Sequence, residues 1–372
     1  MKRIILYFCI GIALAGAANA DLFMDRLGMV SFMEIDSGLM KTRSTLDMDL
    51  AFRGGYRLEA WLSARAFLED MENGSQWPVP LLDMRLESAG LTLFDAFGKG
   101  VHFSWFAGSA DRFGDDALFI RDFGSHPFHS EFASLARTRK QDDTFTFLYR
   151  PRGTGAILTA RSTARRSLVS LYAYQDAWSG NGYYGMDLRI AASADWIQFD
   201  GFAGASFSPV SPRGAYRTGA MAHLDLGGFE LYVLGGVPRW ESSSPFDTSL
   251  FLALIEPRIH LGALNIFVSF LYRPAWYDGS KSKLSTAGQP DLGARISLGS
   301  LAVGKAEGGV DGRWKASSIP SIASPTSLVI SPFVSFLTRG SRWDFRMDID
   351  ILPAPASFWE RLKPSIGFST AF

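Results

Sequence analysis

The residues best suited to proton transfer or metal binding in this 372-residue chain are five histidines: His102, His126, His129, His223 and His260. His223 and Asp225 lie two apart, as do His102 and Ser104. On a strand, that spacing puts both members of a pair on one face. General acid–base or nucleophilic catalysis needs a base, an orienting group and a nucleophile within hydrogen-bond reach. Neither pair comes with an identifiable third member. His126 and His129 flank Pro127 and Phe128, a spacing that could seat a metal, but no clear third ligand accompanies them. No phosphate-binding glycine loop is present. The expectation is a chain with no catalytic residue, no metal site and no cofactor, its histidines being ordinary polar or loop residues.

The pattern of charge says more. From Arg342 to Ile351, Trp343, Phe345, Met347, Ile349 and Ile351 alternate with Arg342, Asp344, Arg346, Asp348 and Asp350. A period of two means a strand with one apolar and one charged face. The same pattern recurs over Thr45 to Arg53 and, after Gly54 and Gly55, over Tyr56 to Glu69, which reads as a hairpin. Leu82, Met84 and Leu86 oppose Asp83, Arg85 and Glu87. Past Ser88 the parity shifts to Leu91 and Leu93, which predicts a bulge within one strand. Further alternating runs cover Val101–Gly108, Asp142–Arg150, Gly182–Ala192, Asp195–Ser208, Ala215–Leu226, Asn265–Arg273 and Asp291–Ser300. Leu27–Asp36, Arg166–Asp176 and Thr326–Thr338 follow the rule more weakly. Helix signals are nearly absent.

Composition narrows the class. Lys2 and Arg3, the apolar run Ile4 to Gly16 and the small residues Ala18-Asn19-Ala20 read as a secretory signal peptide over residues 1–20, leaving 21–372 as one mature domain. The single cysteine, Cys9, falls inside that signal, so the exported domain needs no disulfide. There are 37 basic and 37 acidic residues, and a balanced charge argues against nucleic acid as a partner. No later run of 18 apolar residues suggests a transmembrane helix. An exported, aromatic-rich chain of alternating strands is either a membrane barrel or a soluble sandwich.

The chain ends Lys363-Pro-Ser-Ile-Gly-Phe-Ser-Thr-Ala-Phe372, with Ile366, Phe368 and Phe372 on one face. An amphipathic strand ending on phenylalanine resembles the closing strand of bacterial outer-membrane β-barrels, the porin-like superfamily. The resemblance implies an all-β fold: a single transmembrane antiparallel β-barrel with an even strand number of about 20, within a range of 16 to 20. It also implies that Ile366, Phe368 and Phe372 form the signal read by the outer-membrane assembly machinery, with periplasmic chaperones as partners during biogenesis and outer-membrane lipid around the finished barrel in a Gram-negative cell. The connections agree. Short turns such as Gly54–Gly55, Gly227–Gly228 and Gly262–Ala263 alternate with longer stretches such as Met71–Pro78, Arg239–Asp247, Pro274–Gln289, Gly308–Pro325 and Pro353–Leu362. Pro151–Gly153 breaks the rhythm by being short where a long external loop is due.

In a membrane barrel the charged face turns to the lumen. The expected pore-lining residues are Arg57, Glu59, Arg65, Asp83, Arg85, Glu87, Asp187, Arg189, Arg217, Arg295, Asp344, Arg346, Asp348 and Asp350. Such charges require an interior that is wet or internally paired. The run Ser109 to Phe128, about 20 residues, is long for a structureless loop. In porins a loop of this kind folds into the lumen. By that resemblance Asp111, Arg112, Asp115, Asp116, Arg121 and Asp122 are candidates for the constriction. The expected function is a porin-like channel for passive diffusion of small hydrophilic solutes. One alternative is an occluded structural or adhesin-type barrel whose external loops bind a ligand or host partner. Another is a transporter of apolar compounds, suggested by Trp61, Phe67, Phe202 and Phe267 on the polar face. The solute, the selectivity and the number of subunits are left open.

Overall fold

A computed structural model describes residues 20–36, 39–54, 57–69, 81–132, 148–180, 182–273, 289–315, 326–339, 341–353 and 357–370. Its strands are β1 Ala20–Asp36, β2 Leu39–Gly54, β3 Leu58–Glu69, β4 Leu81–Leu93, β5 Val101–Ser109, β6 Arg152–Ser162, β7 Ser167–Asp176, β8 Tyr184–Ser193 and β9 Ile197–Ser208. They continue with β10 Ser211–Asp225, β11 Phe229–Glu241, β12 Leu252–Leu261, β13 Leu264–Arg273, β14 Gln289–Gly299, β15 Ala306–Lys315, β16 Ser327–Thr338, β17 Ser341–Leu352 and β18 Leu362–Thr370. Each strand pairs antiparallel with its sequence neighbours in one 18-stranded sheet. Strand β18 pairs back onto β1, from Leu27 opposite Thr370 to Phe32 opposite Ser365. The sheet therefore closes, with no free edge to leave backbone groups unpaired. The even strand number falls inside the expected range.

The two faces decide which kind of barrel this is. On β8, Tyr184, Met186, Leu188 and Ile190 are exposed, while Asp187, Arg189 and Ala191 between them are buried. On β14, Leu292, Ile296 and Leu298 are exposed, and Asp291, Arg295 and Ser297 are buried. A soluble sandwich would bury the apolar set. Here the apolar set faces out and the polar set faces in, which is the arrangement of a membrane-spanning barrel. Ile366 on β18 is exposed, as a lipid-facing residue must be. Phe372 lies outside the described residues.

The predicted bulge is present. Ser63 pairs with Ser88 and Ala64 with Leu86, which leaves Glu87 as the extra residue. The strand ends joined by short connections, β6 to β7, β8 to β9, β10 to β11, β12 to β13 and β16 to β17, lie at one end of the barrel, and those of β3 and β4, β5 and β6, β11 and β12, β13 and β14, and β17 and β18, further apart in sequence, at the other. Two expected elements differ. Ala306–Lys315 is strand β15, so Gly308–Pro325 is not a single loop; Gly308, Gly309 and Gly312 carry no side chain to mark the alternation. Asp142–Arg150 does not supply a barrel strand among its described residues. Leu148 and Tyr149 are buried inside, and Tyr149 bridges to Phe113. Strand β5 pairs directly with β6, from Ser109 opposite Arg152 to Val101 opposite Ala160. Pro151 thus ends one long connection rather than forming a short turn, and the irregularity in the rhythm disappears.

Candidate functional site

The connection between β5 and β6 runs back into the barrel. Its two ends hydrogen-bond each other: Ala110 N donates to Pro151 O at 2.9 Å, Phe113 N to Tyr149 O at 2.7 Å and Leu148 N to Phe113 O at 2.7 Å. Between them lies α1, Ala117–Phe123. Gly124 stops it in the left-handed conformation that favours glycine, φ 64°, with its amide donating to Ile120 O. Asp116 at the helix start accepts from the amides of Phe128 and His129, both at 2.9 Å, and so folds the chain back after the helix.

Barrel side chains satisfy the backbone of this segment. Asp200 on β9 accepts from Gly114 N at 2.7 Å, and the Tyr232 hydroxyl on β11 donates to Gly114 O at 2.6 Å. Glu256 on β12 is fully buried and accepts from Ser130 Oγ, Glu131 N and Phe132 N at 2.9, 2.9 and 3.2 Å. Arg258 donates to His129 O at 2.6 Å. Glu131 pairs with Arg295 on β14 at 2.9 Å. One segment meets inward side chains from β9 to β14, so it lies within the barrel. Phe113, Phe119, Phe128 and Phe132 bury themselves against Tyr172, Phe202, Met221, Leu234, Leu254, Phe267 and Leu271. Phe202 and Phe267 thus pack the segment, with Trp61 partly buried against the same core. The side chain of Phe67 lies outside the described residues.

Under this segment the expected lining charges are buried and paired. Arg189 donates to Asp200 at 2.9 and 2.7 Å, and both side chains are almost fully enclosed. Arg217 donates to Asp187 at 2.5 Å, to Ser206 at 2.7 Å and to Tyr174 at 2.7 Å. Arg295 donates to both oxygens of Asp311, at 2.5 and 2.9 Å. Pairing with a carboxylate is what allows such charges to leave water, and of these guanidinium nitrogens Arg189 Nη1 is buried without a hydrogen-bond partner.

The opposite wall is more open among the described residues, although Asp348 and Asp350 on it are buried. Arg65 pairs with Asp47, Arg53 with Glu59 at 3.2 Å, Arg342 with Asp344 at 2.9 Å, Arg346 with Asp348 at 2.7 Å and Lys363 with Asp350 at 3.0 Å. There Arg342 keeps 30 %, Asp47 27 %, Asp344 22 % and Glu59 21 % of its side-chain exposure, against 0 % for Arg189. Arg57 and Arg85 are exposed, and Glu87 sits at the bulge. The side chain of Asp83 lies outside the described residues. Strands β17, β18, β1 and β2 are consecutive neighbours, so the acids of β17 and those of β2 do share one wall.

The six constriction candidates divide. Asp115 and Asp116 are buried. Asp111 accepts from Arg121 at 2.9 Å and from the Tyr172 hydroxyl at 3.2 Å. Asp122 accepts from Arg121 and Arg161. Arg112 is half-buried, and its charge favours ionised Asp115. Burial works against ionised Asp111, but the Arg121 guanidinium outweighs it and holds the carboxyl at about 2. Burial pushes Asp115 up to about 6, helped by Asp116 and Asp200 and opposed by Arg112. Glu131 is the residue sequence reasoning missed, because the loop was read only as far as Phe128. Burial opposes its charge too, but Arg295 first, then His129, Arg258 and Arg342, hold it at about 2. Its partner Arg295 also pairs with Asp311, which accepts from Arg346 on β17 at 2.7 Å, so Glu131 lies on the side of the segment toward β17.

The histidine pairs separate. His223 contacts Gln198 and Glu230 and lies flat on Phe128 with ring centres 4.5 Å apart, whereas Asp225 caps the next turn through Gly227 N. His102 accepts from Asp95 N, and Ser104 bonds Thr92. His129 meets Asp116, while His126 is exposed. Among the described residues no group of three or more His, Cys, Asp or Glu could hold a metal ion.

No protein-family profile matches the chain. No curated protein matches it either. Solved structures do. A triple mutant of the Rhodopseudomonas blastica porin is 11% identical, with a TM-score of 0.48 over 95% of this chain and 100% of that one. A low-pH structure of Pseudomonas putida OprB is 10% identical, with a TM-score of 0.44 over 97% of this chain and 95% of that one. In architecture the chain is a large antiparallel β-barrel resembling bacterial outer-membrane porins.

Proposed function

We propose that the chain is an outer-membrane channel through which small hydrophilic solutes diffuse down their gradient. The observation that carries this reading is the asymmetry of the interior. Asp187, Arg189, Asp200, Arg217, Glu256 and Arg295 on β8, β9, β10, β12 and β14 are sealed under the inserted segment, while Arg342 and Asp344 on β17, Asp47 on β2 and Glu59 and Arg65 on β3 keep water contact. The passage then runs off-centre, between Glu131 on the segment and the wall carrying Arg342, Asp344, Asp47, Arg65, Glu59 and Arg85. Its charges are nearly all paired locally, which favours weak selectivity over a strong cation preference. Residues 1–20 act as the export signal. Ile366 and Phe368, with Phe372, are read by the assembly machinery, and lipid surrounds the mature barrel.

The occluded-barrel reading has one observation in its favour: the segment and its aromatic core fill one side of the interior. Single-channel recording of the refolded full chain in a planar bilayer separates the two. Discrete steps that scale with bulk salt are expected. A folded, heat-modifiable barrel that stays silent overturns the channel and moves the function to the external loops.

A further inference from the structure

Arg161, Arg165 and Arg166 cluster where β6 turns into β7, and the channel does not use them all. Arg161 points inward and donates to Asp122 at 3.3 Å. Arg166 donates to Asp195 at 3.1 Å and to Phe123 O at 3.3 Å. Arg165 is exposed, and no carboxylate partner is found for it among the described residues. The same holds for Lys99 on the neighbouring turn between β4 and β5. Beside these turns the outer surface holds a groove of about 320 Å³, lined by Lys99, Val101, Ala160, Ser162, Ser167 and Val169 among others, with no acidic residue in its lining. The turn that carries Lys99 is fixed. Its own acid, Asp95, accepts from Gly100 N at 2.6 Å, and Gly100 O accepts from Arg161 N at 2.7 Å.

The position of the groove says what covers it. Its floor, Val101, Ala160 and Val169, continues along the strands into exposed Phe103, Leu158 and Leu171 on the lipid-facing side. Its polar end lies level with Phe97, 73% exposed in the same turn as Lys99, and near Trp196, also exposed, on the 194–196 turn. Aromatic residues at strand ends mark the level of the headgroups. The groove therefore spans the step from hydrocarbon to headgroup. It offers Lys99 and two hydroxyls at the upper end and an apolar notch at Ala160 below, and Arg165 stands on the bounding turn, where its amide donates to Ser162 Oγ at 3.4 Å.

We propose that this groove binds one anionic phospholipid. Lys99 and Arg165 flank its phosphate, Ser162 and Ser167 donate to the phosphate oxygens, and an acyl chain lies along Val101, Ala160 and Val169. The proposal rests on the membrane reading above but not on the passage being open. Native mass spectrometry of the refolded full chain with equal phosphatidylglycerol and phosphatidylcholine tests it. One retained phosphatidylglycerol is expected. A Lys99→Gln, Arg165→Gln double variant, with heat-modifiability confirming the fold, should lose about 20- to 30-fold of that preference, at roughly fivefold per basic group near an anionic headgroup. Ala160→Phe should remove the adduct by filling the notch, and Lys305→Gln, in another turn at the same end, should not. Equal adducts of both lipids in the parent protein, or equal loss in Lys305→Gln, overturn the proposal. A barrel that conducts nothing but retains phosphatidylglycerol overturns only the channel.

Discussion

Replacing Glu256 by alanine should release the inserted segment without opening the barrel. Glu256 is buried on β12 and accepts from Ser130 Oγ, Glu131 N, Phe132 N, Ser269 Oγ and the Arg258 guanidinium. Removing the carboxylate leaves the Glu131 amide without its acceptor, at about 1–3 kcal/mol when it stays buried, while the Phe132 amide keeps Ser130 Oγ at 3.1 Å. It also leaves Glu230, 3.2 Å away, as the remaining carboxylate on Arg258, which still donates to His129 O, and breaking a buried ion pair costs about 3–5 kcal/mol. Together these give about 4 kcal/mol or more against the docked state, close to the whole stability of a small domain. The main-chain ladder of β12 with β11 and β13 does not involve the side chain, so the closed sheet survives. The expected result is a heat-modifiable barrel with larger single-channel conductance and fast hydrogen exchange at Glu131 and Phe132. Glu256→Gln keeps an acceptor and should show a smaller change. If alanine leaves both conductance and exchange at the parent values, Glu256 does not anchor the segment and the reasoning fails.

Three further outcomes follow from the same geometry. Asp115, pushed up to about 6 mainly by burial, is held above its ordinary value of 3.8, so its contribution to docking is complete below about pH 4 and is lost as pH rises through 6. Asp115→Asn should therefore protect the segment at pH 7–8 by about 2–3 kcal/mol in hydrogen exchange and flatten the pH 4–6 dependence. Asp111 and Glu131 have the opposite sign: depressed to about 2, they support docking above their ordinary pKa and lose that support as pH falls through about 2. Arg342→Glu on the more open wall should move the reversal potential in a salt gradient toward cations, whereas Leu234→Ile, buried under the segment, should leave it unchanged. Leu188→Arg on the outward face should destabilise the folded barrel in lipid by about 2–4 kcal/mol if it lies at the bilayer midplane, read by urea titration in vesicles.

Much of the barrel was written in local alternation. The charged and apolar faces of β17 could be read residue by residue, and so could the bulge at Glu87, because a strand's side-chain period is local and a bulge is a parity change within it. Strand β15 was hidden because Gly308, Gly309 and Gly312 have no side chains to alternate. Its existence depends on pairing with β14 and β16, which are distant constraints. Alternation was equally misleading over Asp142–Arg150: Tyr149 carries the right parity for a barrel strand, but a bridge to Phe113 draws it inside.

The sequence by itself determined that the chain is built of alternating strands with one polar and one apolar face, and it flagged Ser109–Phe128 as a segment apart; closure into a barrel is seen in the pairing of β18 with β1. Only the tertiary structure decided which polar residues meet water. Arg189 and Arg342 look alike in sequence, each on the charged face of an alternating strand. One is sealed against Asp200, which also holds Gly114 N of the segment, and the other stays partly open beside Asp344. The difference lies in where a connection between β5 and β6 folds, and that is fixed by contacts with β9, β11, β12 and β14, between 86 and 164 residues away along the chain. Periodicity carries no information about contacts at that separation, because burial there depends on what packs against a face and not on the face itself.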